Sequence, residues 1–423
     1  MFFMGVMLLQ CCYSLELQYV NNDQALCLDG SLGSFYFQKG YMEGKNKFLI
    51  HFEGGDLILG SSEDEYFRNA IIKQILLLLR QGTQYGSSLN RALSFDFDGL
   101  LSQNQSQNIN FYNWNIIYIN SCDGTGYRQD VVNYQQKQIY FRGELIIKSV
   151  IAKYSTQLQS SEVIILSGCS IGAVAALQWS QHITQMIPIS VSLLCIADSG
   201  ILIDMHSIDG SELLKQSLKI MNYVVNVESE VPIDSCAKNY PNQSWKCFYF
   251  QNLLNHITKP VFIIQSLYDA AFLQDYLKIE CIKDRTLSYC STIEKDYIDF
   301  AYSQFQSTIK NKTSANRRMG SFAPSCISNW YSQILLKFVF SLFLNSASFS
   351  INWSIPEKSG KTISQTLNKW IEAQQRNKGD EDQVVLIDDV YWPNNQPCAK
   401  LASQSIANRY ANILYFLFII LNF

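Results

Sequence analysis

Histidine is scarce in this chain: four residues in 423, at positions 51, 182, 206 and 256. Any chemistry that needs an imidazole base must draw on one of these. Basic stripes interleaved with aromatics are missing too, and the net charge is −3. That balance argues against nucleic acid as a partner. No apolar run is long enough to read as a bilayer-spanning helix. No Gly/Ser/Pro-rich linker and no internal repeat divide the chain into modules. What is present is 48% apolar against 16% charged residues, the composition of a well-filled core. The 423 residues exceed the usual single-domain length, but α/β folds with insertions reach this size as one unit.

The chain opens on a short apolar stretch, Met1 to Leu9, that ends near Gln10-Cys11-Cys12-Tyr13-Ser14. Residues 1–14 read as a secretory signal peptide lacking the usual basic start; the other reading is a buried N-terminal strand. Residues 401–423 finish in the apolar run Ile413 to Phe423, after a polar spacer and the small residues Ala402, Ser403 and Ser405. This resembles the signal for a GPI lipid anchor; the alternative is a last strand or helix docked on the core. Contact with a membrane is expected only through such an anchor. Asn-x-Ser/Thr sequons at Asn104, Asn242, Asn311 and Asn352 point to a glycoprotein. Twelve cysteines occur, and the ten beyond residue 14 are an even number, as a disulfide framework requires. Cys236/Cys247 and Cys281/Cys290 are close enough to suggest local bridges, although connectivity is not fixed by spacing. Together these features place the protein outside the cell or on its surface.

Short β-branched or aromatic runs at 47–52, 115–119, 163–166 and 260–264 read as buried strands. Between them, residues 70–80, 143–154 and 172–186 repeat apolar side chains at three- and four-residue spacing, as helices do. Alternating strands and helices predict an α/β fold with a largely parallel central sheet flanked by helices. In such sheets function gathers at the carboxyl ends of the strands.

Two turns stand at those ends. Ser167-Gly168-Cys169-Ser170-Ile171-Gly172 follows the run 163–166 and precedes a good helix former. Strand, glycine-tight turn with a serine, then helix is the layout of a nucleophile elbow. It would lift the Ser170 hydroxyl above the sheet and aim the Ile171 amide at an oxyanion. The plainer reading is a tight turn with a buried serine. Glu53-Gly54-Gly55 follows the first strand, and the amides of Gly54 and Gly55 are candidates for the rest of an oxyanion hole; an ordinary glycine turn is the alternative. After the strand at 260–264, Asp269 stands where an acid would orient a base, or where a turn former or helix cap would stand. The base is the difficulty. In this arrangement the histidine follows the acid, yet no histidine follows Asp269.

A series of motifs runs in order from about Tyr19 to Lys400. It includes Cys27-Leu28-Asp29-Gly30-Ser31, Phe52-Glu53-Gly54-Gly55 and Phe111-Tyr112-Asn113-Trp114-Asn115. Cys122-Asp123-Gly124, Tyr140-Phe141-Arg142-Gly143, Ser167 to Gly172 and Ala197-Asp198-Ser199-Gly200 follow, then Tyr268-Asp269 and Ser325-Cys326. This series resembles the pectin acetylesterases, a family that includes the Notum-type carboxylesterases. The resemblance implies an α/β-hydrolase domain over 15–400, secreted and disulfide-bonded, with a serine esterase mechanism that needs no metal or cofactor. By similarity Ser170 takes the nucleophile position, Asp269 the acid position, and Gly54, Gly55 and Ile171 the oxyanion region.

The departures fall on the same site. Where the family reads Ser-Cys-Phe-Ala-His-Cys, this chain reads Ser325-Cys326-Ile327-Ser328-Asn329-Trp330, so Asn329 occupies the histidine position. The glycine run is cut short by Asp56-Leu57-Ile58, and a carboxylate at Asp56 facing the site would oppose an oxyanion. Ile171 stands where the family has a small residue, narrowing the pocket. Asn has no titratable nitrogen and cannot serve as general base. Loss of the histidine in a serine triad costs on the order of a million-fold in turnover. Two functions compete on these grounds. One is an esterase acting on acyl or acetyl groups of a polysaccharide or of a lipidated or glycosylated protein. The other is an inactive binding or structural surface protein on the same fold.

Overall fold

The computed structural model describes residues 14–55, 57–70, 86–97, 99–106, 108–128, 130–132, 139–224, 234–284, 287–328, 361–375 and 383–394. Readings that fall on residues 1–13, 71–85 and 401–423, and on Asp56, Asn329, Trp330 and Asn352, lie outside the described residues.

In chain order the strands begin with β1 (Leu15–Tyr19), β2 (Ser34–Gln38), β3 (Lys47–Phe52), β4 (Ser94–Phe95) and β5 (Asn115–Ile119). Next come β6 (Val131–Val132), β7 (Tyr140–Phe141), β8 (Val163–Cys169), β9 (Ser192–Asp198) and β10 (Val261–Ile264). The last are β11 (Tyr268–Asp269), β12 (Gly320–Ala323), β13 (Ile327–Ser328) and β14 (Val385–Ile387). Ten of them form one sheet in the order β14-β12-β10-β9-β8-β3-β5-β2-β1-β4. From β14 to β5 every neighbouring pair is parallel. The other edge, β2, β1 and β4, is antiparallel. β6 pairs with β7, and β11 with β13, in two small ladders outside the main sheet.

The longer helices among the described residues are α1 (Gly143–Gln159), α2 (Ile171–Met186), α3 (Leu213–Val224), α4 (Thr292–Ala315) and α5 (Ile363–Gln375). None is both long and apolar enough to cross a membrane. They cover both faces of the sheet, which is why the central strands read as unbroken apolar runs. The pleat sorts each run between two cores. Ile164 and Leu166 of β8 join Phe48, Ile50 and Phe52 of β3 beneath α1, α2 and α4. Val163, Ile165 and Leu49 face the other side, with Trp370 and Leu367 of α5. Each buried Ile or Leu contributes about 2 kcal/mol of transfer free energy.

The four expected strands and the helices expected at 143–154 and 172–186 are present. β8 runs further than its apolar segment, through Gly168 to Cys169, because Gly168 and Cys169 still pair with Ala197 and Asp198 of β9. α1 continues to Gln159, since Leu158 is still buried. Of the helix expected at 70–80, only Ala70 is among the described residues.

Bridges join Cys236 to Cys247 and Cys281 to Cys290, as their spacing suggested, and Cys27 to Cys122 across 95 residues. Cys326 is also disulfide-bonded. Cys169 and Cys195 are free thiols buried in β8 and β9. An even cysteine count therefore does not mean that all are paired.

Candidate active site

Everything that positions Ser170 comes from close backbone packing. Ser170, between β8 and α2, has φ +53° and ψ −125°, a conformation that L residues rarely adopt. Its amide donates to the Asp198 carbonyl at 2.8 Å, and its own carbonyl accepts from Ala173 at 3.0 Å. Glycine is demanded on both sides. A Cβ at Gly168 would lie 2.1 Å from the Gly172 oxygen, and one at Gly172 would lie 2.2 Å from the Phe52 oxygen. The serine side chain makes no capping bond to α2 and is half-buried, while Ile171 is buried behind it. The first amides of α2 have no partner within the helix and sit at its positive end, the usual place to hold an anion.

The glycine turn after β3 abuts this elbow. A Cβ at Gly54 would lie 2.8 Å from the Cys169 oxygen and 3.5 Å from the Ser170 Cβ. Gly54 is thus packed directly against Ser170, with Gly55 next to it in the chain and Ile171 next to Ser170. Glu53 faces away. Its carboxylate takes Arg91 in a fork, Nη1 to Oε1 at 3.1 Å and Nη2 to Oε2 at 2.7 Å, and the Ser121 amide at 2.7 Å. Arg91 continues to Asn120 Oδ1 at 2.8 Å and the Ser121 carbonyl at 3.2 Å. Burial works against the Arg91 charge, and Glu53 outweighs it, so the guanidinium is held more firmly protonated than usual. This pair fixes the glycine turn. Sequence reading missed it because Arg91 lies 38 residues from Glu53 and belongs to no motif.

Asp269 is buried at the end of β11. Its Oδ2 accepts from Gln265 Nε2 at 2.8 Å and its Oδ1 from the Phe272 amide at 3.0 Å. The second bond is a turn-capping contact, so the plainer reading of this residue also holds. Burial raises its pKa, while the Phe272 amide and Gln265 pull it down. Gln265 in turn accepts from the Ile201 amide at 3.1 Å, tying the acid to the chain beyond β9. Asp198 reaches the same region from the end of β9. Burial, then the charges of Asp198 and Asp269, push the Cys169 thiol well above its ordinary range. Cys169 therefore stays a neutral thiol.

β11 pairs in parallel with β13, Tyr268 opposite Ile327 and Asp269 opposite Ser328. Asn329, next in sequence after Ser328, lies outside the described residues, as does Asp56. The partners seen for the four histidines lie elsewhere. His51 Nδ1 is 2.9 Å from Ser167 Oγ and its ring stacks on Tyr118. His182 meets Trp179 edge-on, His206 lies 3.5 Å from Glu212, and His256 lies 3.4 Å from Asn239. Among the described residues no three His, Cys, Asp or Glu side chains cluster as metal ligands.

A solved Drosophila Notum structure, titled as the Wnt deacylase, superposes with a TM-score of 0.72 at 19% identity, covering 91% of this chain and 99% of that one. The fold is accordingly that of the α/β-hydrolases. Residues 10–399 match the pectinacetylesterase family, and the chain belongs to it. Pectin acetylesterase 7 of Arabidopsis thaliana is 30% identical over 256 residues, 60% of this chain and 61% of that protein. The matched stretch thus spans about three fifths of the plant relative's length. Palmitoleoyl-protein carboxylesterase notum2 of Xenopus laevis is 22% identical over 422 residues, 95% of this chain and 77% of that protein.

Proposed function

We propose that this chain is a secreted carboxylesterase-type member of the pectinacetylesterase family whose catalysis is lost or strongly impaired. The observation that carries the scaffold half of this reading is Ser170 held at φ +53° between two glycines that tolerate no Cβ. On that scaffold Ser170 is the nucleophile, Asp269 the acid, and the amides of Gly54, Gly55 and Ile171 the oxyanion donors. Attack by the serine needs a base to accept its proton as the new C–O bond forms. The residue at that position is Asn329, whose amide nitrogen cannot accept it. What remains is oxyanion binding and substrate positioning, worth about a thousand-fold over water.

The ligand follows from the relatives' names: an acylated polysaccharide on the pectin acetylesterase side, a lipidated protein on the Notum side. Disulfides support a route through an oxidising compartment, with 1–14 as signal peptide, 15–400 as the folded domain and 401–423 as a GPI-anchor signal. The second reading, an inactive binding or structural surface protein, rests on Asn329 in the histidine position, Asp56, Ile171 and the apolar tail.

Fluorophosphonate labelling and p-nitrophenyl acetate turnover test this directly. The expected result is wild-type turnover close to that of Ser170→Ala, and a rise of about a thousand-fold or more in Asn329→His. Wild-type turnover far above Ser170→Ala would show a base from elsewhere and overturn the impaired reading.

A further inference from the structure

A cavity of about 730 Å³ opens between α3 and residues 242–246, within the ~300–1,000 Å³ typical of sites that hold small ligands. Its lysines are already engaged. Lys219 and Lys246 hold their ammonium groups over the Trp245 ring, 5.5 Å and 5.7 Å from its centroid, and Lys215 is bonded to Glu212 at 2.5 Å. Asp204 takes the Tyr249 hydroxyl at 3.1 Å. What the cavity offers a ligand is therefore amide groups, the lysine stems, and Tyr223, an aromatic ring left 71% exposed in its wall. Amides beside an apolar ring suit a neutral, hydroxyl-rich ligand with one apolar face. A pyranose sugar is such a ligand.

Asn242 itself stands in that wall, and its backbone aims it. Residues Tyr240-Pro241-Asn242-Gln243 form a turn closed by the Gln243 amide on the Tyr240 carbonyl at 2.9 Å. Proline at the second position has φ of about −65°, and Asn242 takes φ +60° at the third, as a type II turn requires. Asparagine is one of the few residues that accept this conformation. The Ser244 hydroxyl donates to Asn222 Oδ1, tying the turn across to α3. Asn242 is exposed, and Asn242-Gln243-Ser244 is a sequon.

We infer that Asn242 carries an N-linked glycan whose first N-acetylglucosamine residues occupy this cavity against Tyr223. Transfer of the sugar rests on the secretory route proposed above; its seating in the cavity does not depend on any catalysis by the chain. The Asn242 Nδ2 attacks C1 of the reducing-end sugar of a lipid-pyrophosphate oligosaccharide. The N–C bond forms as the bond from C1 to the pyrophosphate oxygen breaks. The pyrophosphate leaves with that electron pair, and the amide gives up one proton. The attached sugar then covers the Tyr223 ring and meets the amides around it.

N-glycosidase digestion of the full chain from a secreting eukaryotic host, read by peptide mass spectrometry, tests the inference. The expected result is sugar at Asn242 that is released at least about tenfold more slowly from the native chain than from the denatured one. Tyr223→Ala, at an exposed position, is expected to remove most of that protection. Hydrogen exchange gives a second reading that needs no Tyr223 variant. Residues 213–223 and 240–246 should exchange more slowly in the glycosylated chain than in Asn242→Gln. Equal release from native and denatured chains, protection unchanged in Tyr223→Ala, or identical exchange would overturn the inference. Sugar at Asn104 with none at Asn242 overturns it alone, whereas a chain without sugar at any sequon overturns the secretory reading as well.

Discussion

His51 sits inside β3 with its ring stacked on Tyr118 and one nitrogen against Ser167, and burial pushes its pKa down to about 3. The folded chain therefore binds no proton there at mildly acid pH, whereas the unfolded chain does below about 6.5. Stability contributed by the neutral imidazole is complete above that value and falls as pH drops toward the folded pKa. Between about pH 6 and 4 the unfolding free energy of wild type should rise with pH more steeply than that of His51→Gln, by about 1.4 kcal/mol per pH unit. Denaturant titrations across that range measure the two slopes; equal slopes would mean that His51 is protonated in the fold. Single residues differ in how much the sequence announces them. Ser170 and Asp269 stood out because glycines and a strand end frame them. Arg91 did not, because its meaning lies in burial and in the carboxylate it meets, and neither is a local property of the chain.

The turn after β3 is held by the Glu53–Arg91 pair as well as by its glycines. Each oxygen of Glu53 is engaged by Arg91, and both side chains are almost fully buried. Arg91→Met should thus cost about 3–5 kcal/mol, because it strands a buried carboxylate. Glu53→Gln combined with Arg91→Met should recover much of that loss, since no charge is then left inside. Guanidinium denaturation of the single and double variants decides the matter, and a double variant as unstable as Arg91→Met alone would rule out this account. Element boundaries show the same limit on reading sequence. The apolar run at 163–166 announced β8, but its continuation to Cys169 depends on pairing with β9. α4 was not anticipated, although Ser291 and Glu294 form a capping box at its start.

Across the molecule, the α/β class and the parallel centre of the sheet were legible because buried strands and amphipathic helices alternate. The antiparallel edge was not, since β1 and β2 carry short patterns and pair through contacts distant in sequence. The Cys27–Cys122 bridge was equally hidden, joining residues 95 apart. By loop closure its removal through paired Ser substitutions should cost about 4–5 kcal/mol, against about 3 kcal/mol for Cys236–Cys247, whose ends are 11 apart. Thermal and denaturant unfolding of the two double variants gives the order, and the reverse order would show that strain or residual structure dominates. A last consequence follows from the small β11–β13 ladder, which is separate from the main sheet. Ser170 follows a strand of the large sheet, while Asp269 and Ser328, the residue preceding Asn329, are carried by the ladder. Asparagine and histidine codons differ by a single base, so on the assignment proposed above a lineage built this way can lose or regain its proton acceptor in one mutational step while the turn that carries Ser170 stays untouched.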